Sequence, residues 1–174
     1  MPNGIHLLIS VSGGQDSMAL MTLLDDIKEQ HNWSINVWHG NHKWHNESEK
    51  FAKELKDYCY QKKIIFFEDS ADQIDISTEE KARKWRYEKL VEKASEICAT
   101  NKNQNSLYIV TGHTSTDNTE TFLLNLARGS NFGGLSGIPS KRLLNKVYFL
   151  VRPLMIFSRN DTTAICKKLK IPFW

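Results

Sequence analysis

The stretch Ser10-Val11-Ser12-Gly13-Gly14-Gln15-Asp16-Ser17 gathers residue types that handle phosphate. An apolar run ends at Val11, two glycines permit close backbone approach, and a helical pattern begins immediately afterwards. Unpaired N–H groups and the positive end of the helix dipole would then face an anion, with Ser12 and Ser17 adding hydroxyl donors. The loop contains no lysine, and its spacing matches neither the Walker loop nor the GxGxxG dinucleotide fingerprint, so a different nucleotide geometry is expected. Asp16 would repel a phosphate unless it holds a metal or caps the helix, which makes Mg²⁺ a natural companion. The plainer alternative is a glycine-rich turn in which Asp16 or Ser12 caps the helix.

Other groups carry two readings each. His39, His42 and His45 stand three apart, but zinc would need a further convergent ligand and no cysteine lies among them. The better placement puts residues 39–42 at the carboxyl end of a second strand, beside the first strand and its loop. Lys81, Arg83, Lys84 and Arg86 form a basic cluster that is either a solvated helix face or a source of two-donor forks for phosphate oxygens, with Arg86 the preferred candidate. Arg128, followed by Gly129 and Ser130, pairs a cation with a flexible loop able to meet a triphosphate or an RNA loop. A helix C-terminus would also welcome Arg128 without any ligand. Glu120 stands three residues after Asp117, on the same side of a first helical turn, where it complements the dipole or binds Mg²⁺. His113 ends a strand, as a core histidine or as the floor of a site. Trp38 and Trp44 are assigned no chemistry.

These residues need a scaffold, and the hydrophobic pattern supplies one. The runs IHLLISV from Ile5, INVW from Ile35, IIFF from Ile64, LYIV from Leu107 and VYFLV from Val147 read as five buried strands. Stretches at helical spacing separate them, and Asn46–Glu49, Ser77–Glu80 and Ser158–Asp161 have the spacing of reciprocal helix caps. Alternating strands and helices predict a three-layer α/β/α fold with a mostly parallel five-stranded sheet, whose ligands bind beyond the carboxyl ends of the strands. Residues 99–106 read as a solvated loop, and the glycine-rich piece 128–139 as a mobile functional loop.

With 174 residues, 40% hydrophobic and 25% charged, the chain has the material for a single domain spanning residues 1–174. It stops at Ile171-Pro172-Phe173-Trp174, where a sixth strand would begin, and reads as cut rather than finished. No apolar run approaches the ~18 residues of a membrane helix and no signal-like start is present, so a cytosol-like compartment is expected. Twenty-three Lys and Arg against twenty Asp and Glu give a net charge of +3, which permits an RNA partner without demanding one. A broad RNA-binding surface would not be expected from so mild a charge. The cysteines Cys59, Cys98 and Cys166 are odd in number and far apart, which excludes a disulfide framework or a Cys-x-x-Cys site.

SGGxDS after a first strand resembles the loop of the ATP pyrophosphatases, the PP-loop enzymes, which attack the α-phosphate of ATP and release pyrophosphate. HGNHKWHNES from His39, KARKWRY from Lys81, GHTSTDNTETFLLNLARGS from Gly112 and VRPL from Val151 resemble, in that order, the motif series of the tRNA(Ile)-lysidine synthases. The resemblance spans nearly the whole chain. It implies an adenine nucleotide alpha hydrolase-like fold using ATP and Mg²⁺. It also implies ligation of free L-lysine to C2 of the wobble cytidine in an isoleucine tRNA with a CAU anticodon, in the cytoplasm or a plastid stroma, with no membrane and no obligate protein partner.

Carried over by position, it gives Asp16, Asp117 and Arg86 catalytic roles, Asp16 and Asp117 the metal, and ATP to Ser12, Gly13, Gly14, Gln15, Asp16, Ser17, His39 and Arg128. His42, Arg83, Glu120, Gly129 and Ser130 become tRNA or lysine contacts. The chain departs from the family pattern where Thr116 precedes Asp117 in place of a second Asp, and where Asn118 replaces the common Gln. Two rivals remain: a tRNA 2-thiolation enzyme of the same superfamily, which would need paired cysteines, and a non-catalytic adenine-nucleotide-binding module.

Overall fold

The alternation of the first apolar run decides the layering. In a computed structural model that describes residues 1–44, 46–71, 77–100, 107–129 and 136–174, strand β1 (His6–Ser10) forms the centre of the sheet. Leu7 and Ile9, with Ile5 and Val11 flanking the strand, face one helical layer, while Leu8 faces the other. Leu7, Leu8 and Ile9 are all fully buried, each contributing roughly 1.5–3 kcal/mol through loss of contact with water.

The first layer holds α1 (Gln15–His31), α2 (Ser48–Gln61) and α5 (Arg159–Leu169), which insert Met18, Leu20, Leu55 and Cys166 into the core. Across the sheet α3 (Glu79–Thr100) contributes Trp85, Leu90 and Ala94. The remaining strands are β2 (Ser34–Asn41), β3 (Ile65–Ser70), β4 (Leu107–Thr111), β5 (Lys141–Leu144) and β6 (Tyr148–Val151), with α4 (Ser115–Ala127) after β4 and a single 3₁₀ turn over Pro153–Ile156. Among the described residues, no helix is long and apolar enough to cross a membrane.

Strand order is β3-β2-β1-β4-β6-β5, and every neighbouring pair is parallel except β5 with β6. The sheet therefore has six strands, not the five expected. The extra one is β5, whose sequence KRLL carries two cations and only two apolar residues, a pattern too short and too charged to register as a buried strand. It turns back into β6 through Asn145 and Lys146, both left-handed at φ 47° and 59°, and Asn tolerates that region better than most residues.

Helix caps also differ in detail. Ser158 and Asp161 form the expected reciprocal box, whereas α3 is capped one residue later, by Thr78 Oγ1 accepting from Lys81 N–H at 3.2 Å. Helix α2 starts after Glu47 without a side-chain cap, so the Asn46–Glu49 box does not form.

The order reverses between β1 and β4, so the segments leaving these two strands diverge and open a crevice at their carboxyl ends. The register pairs Ser10 with Thr111, bringing the two exits side by side. Gly112 makes this contact possible: a Cβ there would lie 3.1 Å from Ser17 Cα and N and 3.2 Å from the Asp16 carbonyl carbon. Gly112→Ala is therefore expected to cost roughly 1–3 kcal/mol, because backbone rather than a side-chain tip must yield. Urea unfolding measures this, and a variant as stable as its parent would show that the two exits do not abut in solution.

Candidate active site at the β1 and β4 exits

Gly13 takes φ +91°, which turns the chain sharply out of β1, and Gly14 enters α1 as an N-cap with no side-chain cap bond. Neither Ser12 nor Asp16 caps the helix. The first amides of α1 thus keep their donors for an anion. The serines brace the loop instead: Ser17 Oγ donates to the Gly14 carbonyl at 2.8 Å, and Ser12 Oγ accepts from Gly14 N–H at 3.3 Å. Below the loop, His39 Nδ1–H donates to the Val11 carbonyl at 2.8 Å, and burial holds its pKa below the ordinary value. His39 anchors the end of β1 and does not line the cleft.

That cleft has a volume of about 550 Å³, within the range of small-molecule sites. Ser12, Gly14, Gln15, Asp16 and Ser17 wall it from the β1 side, Gly112, His113 and Asp117 from the β4 side, and His42, Arg86 and Tyr87 from β2 and α3. The Gln15 side chain leans away, giving its Nε2–H to the Arg159 carbonyl at 3.0 Å and Thr163 Oγ1 at 2.8 Å, so it ties α1 to α5. Burial, then the Arg86 charge, pushes His42 down to about 4, and its Nε2 is buried without a hydrogen-bond partner. His113, 3.0 Å through Nδ1 from Thr111 Oγ1, is lowered to about 4 by burial and then by Arg152. Both imidazoles are neutral at pH 7. Arg86 lines the cleft with no ion pair or hydrogen bond among the described residues, so its guanidinium is available to a ligand.

The two carboxylates meet on one cation. Arg159, the first residue of α5, places Nε 3.3 Å from Asp16 Oδ2 and Nη2 3.1 Å from Asp117 Oδ1. Asp16 Oδ1 also accepts from the Thr162 hydroxyl. The other Asp117 oxygen, Oδ2, closes a capping box at the start of α4, accepting from Thr114 N–H at 2.7 Å and Thr114 Oγ1 at 2.8 Å. Thr116 Oγ1 accepts from Arg159 N–H at 3.0 Å, which seats the α5 terminus beside the pair.

Among the described residues, no group of three or more His, Cys, Asp or Glu forms a metal cage. Two carboxylates aimed at one point nonetheless suit Mg²⁺, which takes one or two carboxylates together with substrate phosphates and water. Of the histidine series, His45 lies outside the described residues.

Sequence reasoning did not single out Arg159, Thr162, Tyr87 or Phe173, all of which touch the cleft or its carboxylates. The signal available for Arg159 was its place just inside the Ser158–Asp161 cap, after VRPL. Of the remaining candidates, Gly13 shapes the loop without lining the cleft, and Arg83, Glu120, Arg128 and Gly129 stand exposed outside it. Ser130 lies outside the described residues, as do residues 131–135 of the glycine-rich piece 128–139.

The profile of the PP-loop domain family matches residues 3–174. A tRNA(Ile)-lysidine synthase of Prochlorococcus marinus subsp. pastoris is 59% identical over the whole chain, which spans 52% of that protein's length. A chloroplastic tRNA(Ile)-lysidine synthase of Pyropia yezoensis is 37% identical over the whole chain and 50% of its own length. The chain thus spans about half the length of the curated relatives it matches. Among solved structures, a U34-tRNA thiolase of Methanococcus maripaludis superposes with a TM-score of 0.76 at 16% identity, covering 99% of this chain and 59% of the other. That likeness speaks for the fold alone.

The Arg159 bridge makes an unusual prediction about metal binding without nucleotide. Arg159→Gln removes a cation that competes for both carboxylates, so Mn²⁺ alone should bind about tenfold more tightly than to the parent, while Asp16→Asn and Asp117→Asn each weaken it. Electron paramagnetic resonance titration of free Mn²⁺ reads this directly. Equal or weaker binding by Arg159→Gln would mean that the guanidinium and the metal do not share a position.

Proposed function

The chain belongs to the PP-loop family, and from that premise we propose that it is the nucleotide-binding catalytic part of a tRNA(Ile)-lysidine synthase. In this reading the enzyme joins free L-lysine to C2 of the wobble cytidine in an isoleucine tRNA with a CAU anticodon, and splits ATP to AMP and pyrophosphate. The observation that carries the proposal is the 59% identity, taken over all 174 residues, to a relative of that name. Residues 1–174 form one catalytic domain of the larger protein, and its compartment is the cytoplasm, or the stroma in a plastid-bearing organism.

The chain's own groups divide the work. The uncapped amides of α1 hold the β- and γ-phosphates, and the braced Ser12–Ser17 turn keeps them in place before the nucleotide arrives, so little reorganisation is needed in the transition state. Cytidine O2 attacks the α-phosphorus, forming an O–P bond as the bridge to the β-phosphate breaks and pyrophosphate leaves. The lysine amine then attacks C2, losing a proton, and the C2–O2 bond breaks as AMP departs with that oxygen.

Arg86, unpaired in the cleft, offers two parallel donors to the charge that builds on the α-phosphate. Asp16 and Asp117 would hold Mg²⁺, which when bound would neutralise charge on the phosphates. Neutral His42 and His113 add no positive charge of their own to the cleft at pH 7. A thiolation reading gains nothing from these 174 residues: Cys59, Cys98 and Cys166 are buried on three different helices, and burial pushes Cys59 up to about 12.

The test is product analysis with ATP, lysine and a CAU-anticodon transcript, using the protein at the full length of its relatives. AMP, pyrophosphate and a lysine-bearing wobble nucleoside are expected, and Arg86→Lys should lower turnover by about a hundredfold, since a point charge cannot reproduce the fork. ADP with orthophosphate, or a sulfur-bearing nucleoside, would overturn the reading.

A further inference from the structure

One cationic cluster borders the cleft without entering the mechanism above. Three guanidiniums gather around Tyr87: Arg83 and Arg142 lie 5.5 and 4.8 Å from its ring centroid, and the charge of Arg152 acts on its phenol. None of the three forms an ion pair among the described residues. Arg152 is only 2% exposed, its Nη1 donates to the Pro139 carbonyl at 2.6 Å, and its Nε is buried without a partner. The Arg142 Nε is likewise buried and unpartnered.

Like charges gathered this closely, one of them buried, carry a large desolvation and repulsion cost that a carboxylate would normally offset. Among the described residues no carboxylate pairs with them, and an aromatic ring takes only part of that place. The field is felt nearby: burial pushes the Tyr87 phenol up, yet Arg83, Arg152 and Arg142 outweigh it and hold the pKa below its ordinary value. Such a constellation is satisfied by an anion.

Position decides which anion. The phosphate loop follows β1, whereas Arg152 follows β6 and Arg142 sits on β5, beyond β4 in the sheet. At ~4.8 Å per strand, the cluster lies about 10 Å or more to the side of the loop. Because β5 runs antiparallel, its early residues reach the same carboxyl edge where the cleft opens, with Arg142 opposite Leu150. Tyr87 itself lines the cleft. A polynucleotide reaches both places, with one base in the cleft and a neighbouring backbone phosphate on the cluster.

We propose that Arg83, Arg142 and Arg152, assembled on Tyr87, form a binding subsite for a backbone phosphate of the RNA strand whose base enters the cleft. The inference rests on the proposed function and deepens it. It also assigns a purpose to the β5–β6 hairpin, which carries Arg142 to the rim and leads directly into Arg152. RNA loops present splayed bases with accessible phosphates on either side, the form of substrate that such a rim would hold.

The test is fluorescence anisotropy with a labelled anticodon stem-loop bearing a CAU loop, at low salt and with the nucleotide site saturated by a non-hydrolysable ATP analogue and Mg²⁺. Arg142→Gln and Arg83→Gln are each expected to weaken RNA binding about three- to tenfold and to reduce the slope of log affinity against log salt by about one. Arg142→Lys should keep the slope, and calorimetric affinity for the nucleotide should stay within about twofold in all three.

Unchanged RNA affinity and slope, or no binding by the parent chain, would overturn the subsite. A loss of nucleotide affinity with RNA binding intact would instead assign the cluster to ATP. AMP transfer to the RNA, assayed separately, reports on the proposed function whichever way the subsite falls.

Discussion

The alignment of β1 with β4 is the constraint on which the site depends. These strands pair in parallel with Ser10 opposite Thr111, and the chain turns into a helix directly after each. Two carboxylates distant in sequence, Asp16 and Asp117, are thereby placed at adjacent helix starts. Close approach of the exits at Gly112 sharpens this placement. Two like charges held so close need a cation, and Arg159 supplies it from the start of α5. The uncapped amides of α1, the carboxylate pair and the first turn of α5 thus form one electrostatic unit, set by a strand register that the buried β1 side chains enforce.

Asp117 shows how economically this unit is built. One oxygen caps α4 through Thr114 while the other turns toward Arg159, so the carboxylate is oriented by backbone structure before any ligand arrives. Thr116, which stands where the resembling family often has a second Asp, accepts the Arg159 amide and helps fix the bridging guanidinium. With only two carboxylates to balance, a single guanidinium suffices. The departure from the family pattern therefore carries a local electrostatic logic.

Much of this was legible in the sequence because it rests on local rules. Apolar runs located β1, β2, β3, β4 and β6, the glycine pair marked the turn at residues 13 and 14, and the Ser158–Asp161 spacing marked the start of α5. What escaped was set by tertiary context. Strand β5 is a charged edge segment held by its hairpin partner, and no local pattern distinguishes KRLL from a loop. Arg159 reads as an ordinary first-turn residue until α5 packs against α1, and the Gln15 side chain reads as a phosphate ligand until the same packing turns it toward Thr163. His39, expected among the ATP contacts, is drawn beneath the loop by the Val11 carbonyl. Conversely, Arg128 and Glu120 have the residue types of a site, but their places on α4 leave them in solvent.

If, as proposed, the β1 and β4 exits make one metal–nucleotide site, metal and nucleotide must bind there together. Crystals grown with Mn²⁺ and a non-hydrolysable ATP analogue, with data collected at the manganese absorption edge, test it most directly. The account predicts a single anomalous peak in contact with both Asp16 and Asp117, phosphates seated on the amides that open α1, and Arg159 withdrawn from the carboxylates. A peak elsewhere, or a nucleotide bound with the Arg159 bridge intact and no metal between the carboxylates, would contradict it.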